Sequence, residues 1–370
     1  MELLTFGVIF VSRTCIMEHK KIKVGITQGD INGISYEIII KTLEDNRISE
    51  MCTPILYGSS KVAAYHRKAI NVPNFSFNHI KSPEEANFKR PNIINILDDS
   101  VRVELGKSTR EAGQASFKSM ELAISDLRDD KIDVLVTAPI NKNNIQSDNF
   151  SFPGHTEYLE SFFEGKEALM IMASDLLRVG VVTTHIPVAK IPENITKDNI
   201  LNKLKLLEQS LIQDFGIHKP RIAVLGLNPH AGDEGVIGSE EIEIIIPAIE
   251  AAKEEKILAF GPYSADGFFG SDNYSKFDAI LAMYHDQGLA PFKALVPVAG
   301  VNFTAGLPII RTSPAHGTAY ELAGQGIASP NSFRNALYLA CDIYMNRKAY
   351  AENTSNQLES STYEDAPAQE

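Results

Sequence analysis

Three histidines share one local context, and together they could hold a metal ion. His185 ends the strand-like run VGVVTTH, His285 ends DAILAMYH, and His230 closely follows IAVLGLNPH. Loop-forming or polar residues come next in each case: IPVAK, DQG and AGDEG. If the three runs are parallel neighbours, the imidazoles converge on the rim where α/β sheets bind ligands. Three neutral imidazoles with open positions suit a borderline divalent ion such as Zn²⁺, Co²⁺ or Ni²⁺, whereas Mg²⁺ prefers carboxylate and water. A single histidine after a strand is more often a hydrogen-bonding loop residue; the matching placement of three is what favours ligation.

A second set of residues could hold an anion. Lys293, Asn302 and Arg311 follow His285 through a strand-rich region, and an ammonium, an amide and a guanidinium make a phosphate or carboxylate clamp. In FPGHTE, His155 and Thr156 follow a Pro-Gly turn and can bond a substrate oxygen; a helix cap by Thr156 is the plainer alternative. GITQGDINGISYE follows a strand and opens a helix, with Gly25, Gly29 and Gly33 permitting a tight turn. It is not GxGxxG, so the common dinucleotide fingerprint is absent. PAHGTAYELAGQGIASP, from Pro314 to Pro330, is either a close-packed loop or a backbone embracing an adenine and ribose.

Alternating elements must position these residues. Short β-branched runs are expected as strands at 22–27, 54–57, 93–97, 134–137, 169–173, 178–184, 221–227, 279–283 and 301–304. Helical spacing is expected over 34–43, 111–127, 197–215, 239–254 (with a Ser239 cap and Glu240 and Glu241 in its first turn) and 332–344. The alternation predicts a mostly parallel, three-layer α/β/α architecture.

The chain has 370 residues and a formal net charge of −12, without a long basic run, which argues against a nucleic-acid surface. It does not exclude an anionic substrate in a locally basic cleft. Three scattered cysteines form no disulfide framework and no CxxC pair, so a reduced, cytoplasmic setting is expected. The apolar run Leu3–Val11 lacks the flanks of a signal peptide and is too short to span a bilayer. Residues 1–20 are expected to be a disordered extension, with Met17 the usual start, and the polar stretch 349–370 a disordered tail.

The segments FPGHTEYLE, VVTTHIPVAKI, LNPHAGDEG, MYHDQGLAPFK and GVNFTAGLPIIRTSPAHGTAYELAGQG together resemble the 4-hydroxythreonine-4-phosphate dehydrogenase (PdxA) family of pyridoxine biosynthesis, over about residues 21–346. The resemblance implies an isocitrate/isopropylmalate dehydrogenase-like fold of two α/β domains with a cleft between them. Residues 21–140 with 290–348 would form the cofactor side, and residues 141–289 the metal and dimer side. It implies a homodimer with its active site at the interface and metal ligands from both subunits. Carried over position by position, the metal ligands are His185, His230 and His285, and the substrate contacts His155, Thr156, Lys293, Asn302 and Arg311. HGTAYELAG resembles a cofactor loop, placing His316, Gly317 and Thr318 near an adenosine. One segment departs: the family's first loop often reads TPGEPAGIGPE, and here Gln28, Asp30, Asn32, Ser35 and Tyr36 differ, which leaves the turn type open.

The implied reaction is oxidation of 4-phosphooxy-L-threonine at C3 with NAD or NADP, assisted by a divalent metal (Zn, Co or Mg), then decarboxylation to 3-amino-2-oxopropyl phosphate. Asp266 and Asp286 are candidate proton acceptors, although Asp286, beside His285, could instead orient an imidazole. A 4-phospho-threonate or 4-phospho-erythronate dehydrogenase of sugar-acid catabolism would keep the same ligands. A phosphate acyltransferase of related fold would need neither the metal site nor the nicotinamide.

Overall fold

β-Branched apolar runs pair into a twelve-stranded sheet in the computed structural model, which describes residues 21–98, 100–147, 150–163 and 166–355. The expectations for residues 1–20 and for the tail beyond 355 lie outside the described residues. The strands are β1 (Ile22–Thr27), β2 (Cys52–Gly58), β3 (Asn78–Ile80), β4 (Asn92–Asn95), β5 (Val134–Thr137) and β6 (Leu169–Ala173). The series continues with β7 (Arg178–Thr183), β8 (Arg221–Leu225), β9 (Leu258–Tyr263), β10 (Ala279–Tyr284), β11 (Val301–Ala305) and β12 (Arg311–Pro314). Their order is β3-β4-β2-β1-β5-β12-β11-β6-β7-β10-β8-β9. Pairing is parallel except around β11 and β6, where β11 runs antiparallel to both β12 and β6, and β6 antiparallel to β7.

The first half of the chain supplies β1–β5 and the middle supplies β6–β10, while β11 and β12 join the two groups at the centre of the sheet. Alternation along the strands builds the layers. Val182, Val224 and Leu281 pack with Leu204 and Leu207 of the helix Lys197–Gln213, whereas Val181, Ala223 and Ile280 pack with Leu289 and Phe292 of the helix His285–Leu295 on the other face. The expected α/β layering is therefore present. No helix among the described residues is long and apolar enough to cross a membrane.

Several expectations need correction. DQG after His285 is not a loop: His285 is the first residue of the helix His285–Leu295, which also carries Lys293. The last helix runs Asn331–Thr354, so residues 349–354 are helical and not part of a tail. Arg347 anchors that end of the helix, bonding Asp214 at 2.6 Å and the carbonyls of Leu307, Pro308 and Ile309. The helix after Pro153 begins at His155 with Gly154 at its cap, so Thr156 does not cap it. Ser239 makes no side-chain cap either, because the element starts as a π-helix at Glu241–Ile245.

The divergent first loop is a buried, mutually bonded block. Gln28, Asp30, Asn32, Ser35 and Tyr36 are all 0% exposed. Gln28 donates to Ala115 O at 2.9 Å and accepts from the Tyr36 hydroxyl at 2.6 Å, which in turn accepts from Ser59 N. Asp30 accepts from Asn144 Nδ2 and from the Tyr320 hydroxyl, at 2.8 and 2.7 Å. Asn32 donates to Lys107 O and Thr109 Oγ1 and accepts from Glu104 N. Gly33 lies so close to Thr318 that an added Cβ would sit 2.6 Å from its carbonyl oxygen.

His66 completes this block. Its ring stacks on Tyr36 at 5.2 Å, and Nε2–H donates to Ile31 O at 2.7 Å. Burial, only partly offset by that bond and by Glu37, lowers its pKa from the usual 6.5 to about 4. The native state therefore binds fewer protons than the unfolded chain between those values, and stability rises with pH across that window. The contribution is present in full above pH 6.5 and is lost towards pH 4, up to about 3 kcal/mol. Denaturant melts from about pH 4 to pH 7 are expected to show this slope in the wild type and a flatter one in His66→Gln. Equal slopes would assign the acid sensitivity to other groups.

Candidate active site and metal centre

The carboxyl ends of β5, β7 and β10 open onto a cavity of about 250 Å³ at the centre of the sheet. Its lining includes His155, Thr156, Glu157, His185, His285, Lys293, Asn302, Arg311 and His316, so most residues singled out from sequence meet here. Ile140, Met170, Met172 and Leu289 add apolar wall.

Arg311 dominates the electrostatics. It is 2% exposed at the start of β12. Nε and Nη2 donate to Thr137 Oγ1 at 2.9 and 2.7 Å, and Nη1 donates to Thr304 Oγ1 at 3.2 Å. Those three bonds end on neutral hydroxyls, and no ion pair holds the guanidinium among the described residues. Burial lowers its pKa to about 9, which leaves it cationic at neutral pH. A guanidinium has five N–H donors in a planar fork, matched to carboxylate and phosphate oxygens. Among the described residues, the lining carries the cations Lys142, Lys293 and Arg311 against one carboxylate, Glu157. Such a cavity favours an anion.

Glu157 is committed to His185. The imidazole Nδ1 lies 2.7 Å from Glu157 Oε1, while Nε2 lies 3.3 Å from Lys142 Nζ. Burial opposes ionisation of Glu157, but its bond to His185 and the nearby Lys142 outweigh burial and hold its carboxyl below the usual range. With Nδ1–H donated to Glu157, Nε2 is an acceptor directed into the cavity. His285 repeats the arrangement: Nδ1 is 2.7 Å from Asp286 Oδ1. The two rings are 5.9 Å apart, centroid to centroid. Imidazoles tied to carboxylates through one nitrogen are the usual form of metal-ligating histidines.

His230 does not join them within one chain. The strand condition is met, since β7, β10 and β8 are parallel neighbours in that order. Convergence nevertheless stops at two histidines, and no group of three or more His, Cys, Asp or Glu among the described residues could hold an ion. The reason is local: His230, Ala231, Gly232, Asp233 and Glu234 all have positive φ, and this left-handed turn carries the imidazole onto an exposed loop. Each of the four non-glycine residues in it costs roughly 1–2 kcal/mol. Exposed Val236, Ile237 and Ile242 flank the loop.

The two candidate bases separate. Asp286 is exposed and bonds His285, the contact that an orienting carboxylate would make. Asp266 lies beside His230 outside the cavity; its bond from Ser264, with help from Gly267 N and His230, lowers its pKa.

Among the remaining candidates, burial holds His155 well below the usual histidine range, reinforced by Arg311 and Lys142, so the ring is neutral. Its Nε2 is buried without a partner among the described residues, as is Asn302 Oδ1. His316 and Gly317 line the same cavity as the substrate residues, and burial lowers the His316 pKa. Thr318 is not among the lining residues, and its carbonyl accepts from Ile34 N at 3.0 Å.

Sequence reasoning missed four contributors. Thr137 ends β5 and Lys142 follows it, and neither carries a motif signal. Glu157 stands two residues after His155, a spacing that places both on one turn. Gln287, in the DQG signature, accepts from Met283 N at 2.7 Å and donates to Gly226 O at 2.6 Å, clamping the ends of β10 and β8 together.

The chain matches the family described as "Pyridoxal phosphate biosynthetic protein PdxA" over residues 50–340. It is 56% identical over 350 residues to a 4-hydroxythreonine-4-phosphate dehydrogenase of Bacteroides thetaiotaomicron, covering 94% of this chain and 96% of that one. It is 39% identical over 328 residues to a D-threonate 4-phosphate dehydrogenase of Cupriavidus necator, covering 88% and 98%. Among solved structures, the 4-hydroxythreonine-4-phosphate dehydrogenase of Klebsiella pneumoniae superposes with a TM-score of 0.75 at 31% identity, covering 88% and 99%.

Proposed function

Because the chain belongs to the PdxA family, we propose that it oxidises 4-phosphooxy-L-threonine at C3 in an NAD(P)-dependent, divalent-metal-assisted reaction. Decarboxylation then gives 3-amino-2-oxopropyl phosphate. One observation carries the reading: among the described residues, a buried guanidinium with no carboxylate bonded to it lines a cavity whose lysines outnumber its one acid. That is the electrostatic complement of a phosphorylated acid.

Arg311, Lys293 and Asn302 hold the anionic groups, and neutral His155 with Thr156 orients the substrate as donor or acceptor without adding charge. Remote contacts of this kind place the reacting carbon. His185 and His285 fit a divalent ion, with Glu157 and Asp286 fixing their tautomers, and His230 of the partner subunit would complete the set. Support for a homodimer comes from the exposed left-handed loop and the apolar residues beside it. His316, Gly317 and Thr318 are proposed neighbours of the nicotinamide nucleotide. When bound, the ion supplies Lewis-acid polarisation of the substrate hydroxyl and the nucleotide accepts hydride.

The Cupriavidus relative motivates a second reading, oxidation of a sugar-acid phosphate such as 4-phospho-threonate. The higher identity to the Bacteroides enzyme favours the amino-acid phosphate. Steady-state assays with both substrates side by side decide. We expect kcat/KM to favour 4-phosphooxy-L-threonine by at least about 10-fold, the discrimination of one polar contact or more. A preference for the threonate would replace the first reading with the second.

A further inference from the structure

Glu241 is 2% exposed, yet its carboxylate does not serve the helix terminus that it opens. Oε1 accepts from Leu227 N and Asn228 N, both at 2.7 Å, and Oε2 accepts from Asn228 Nδ2 at 3.0 Å. Glu240 Oε2 takes the same amide at 2.7 Å. The carboxylate thus grips the backbone immediately before the left-handed turn that carries His230. It also lies under the turn: an added Cβ on Gly232 would meet Oε2 at 2.6 Å, and one on Gly226 would meet Oε1 at 3.0 Å. Around the turn, Ala231 N donates to Asn228 O, Val236 N to Asp233 O and Ile237 N to Gly232 O. A run of disfavoured backbone persists only where its surroundings over-determine it, and such runs collect at ligand clamps. Glu241 opens the π-helical stretch Glu241–Ile245, and such insertions are frequent at functional sites.

From this geometry we infer that Glu241 is a positioning residue: its carboxylate fixes the 226–235 loop so that His230 is held out, preformed, as a metal ligand. The inference rests on the proposed role of His230. Glu241 itself does not line the cavity.

The test is titration of the full-length, metal-free protein with Co²⁺, followed by absorbance, alongside hydrogen–deuterium exchange of residues 226–236. We expect His230→Ala to weaken Co²⁺ binding, and Glu241→Ala to weaken it about 10- to 100-fold with faster loop exchange. Glu241→Gln keeps one acceptor oxygen and is expected to fall between, which preserves the test if the alanine variant folds poorly. In the His230→Ala background, Glu241→Gln should bring no further loss, since the two act as one unit. Lost affinity in His230→Ala with unchanged affinity in both Glu241 variants would overturn the positioning role alone. Weakening by Glu241→Gln of an equal factor with and without His230 would overturn it too. Unchanged affinity in His230→Ala would overturn the ligand assignment itself, and the inference with it.

Discussion

Arg311→Ala should lower kcat/KM for 4-phosphooxy-L-threonine by roughly 10²- to 10³-fold, about 3–4 kcal/mol. The side chain is buried, its pKa is depressed to about 9 by that burial, and its bonds run to Thr137 and Thr304 hydroxyls. A charge desolvated in this way recovers its cost only when an anion arrives. The free enzyme therefore should not lose thermal stability on the substitution, while the stabilisation that the substrate gives the wild type should disappear. Arg311→Lys should recover only part of the activity, because Thr137 accepts from two guanidinium nitrogens and a point charge cannot reproduce that fork. Steady-state kinetics with melting curves in the presence and absence of substrate check both halves. An unchanged KM in Arg311→Ala would rule out the anion clamp.

The second large effect is expected at His185. His185→Ala should reduce turnover by at least about 10³-fold, since the Lewis-acid contribution of a bound ion is several kcal/mol. Glu157→Gln should act more mildly, weakening metal affinity about 10- to 100-fold. The amide can place its oxygen at Nδ1–H, but it carries no charge to raise the basicity of Nε2. Lys142 sharpens the contrast, because its ammonium lies 3.3 Å from Nε2 and must give way when an ion binds. Metal content of the dialysed protein, measured with turnover, tests both. A His185→Ala enzyme with wild-type metal content and activity would sink the assignment.

Periodicity and strand ends made much of this legible in the sequence. β1, β5 and β6 fall where β-branched or apolar runs end in turn residues, and the ends of β7 and β10 lead directly to His185 and His285. What remained hidden had short-range causes. β12 is four residues, RTSP, and draws its place from β5 and β11 instead of from its own pattern. The helix at His285 contains Pro291 and opens on HDQG, both of which read as a loop. His230 followed a strand as expected, but its direction depends on a left-handed turn whose support, Glu241, lies in the following element. Glu241 looked like a dipole partner at a helix start; its burial and its bonds to Leu227 N and Asn228 N show that it faces inwards.

The first loop carries a consequence for descent and for engineering. Gln28, Tyr36 and Ser59 satisfy one another, and Asp30 and Asn32 tie the same loop to Tyr320, Asn144 and the 104–109 segment. Conversion towards TPGEPAGIGPE one position at a time would pass through chains with an orphaned buried donor or acceptor, at roughly 1–3 kcal/mol each. Gln28→Pro, for instance, takes the acceptor from the buried Tyr36 hydroxyl and the backbone donor from Ser119 Oγ together. Exchange of this loop therefore calls for its bonded neighbours to change with it as one cassette.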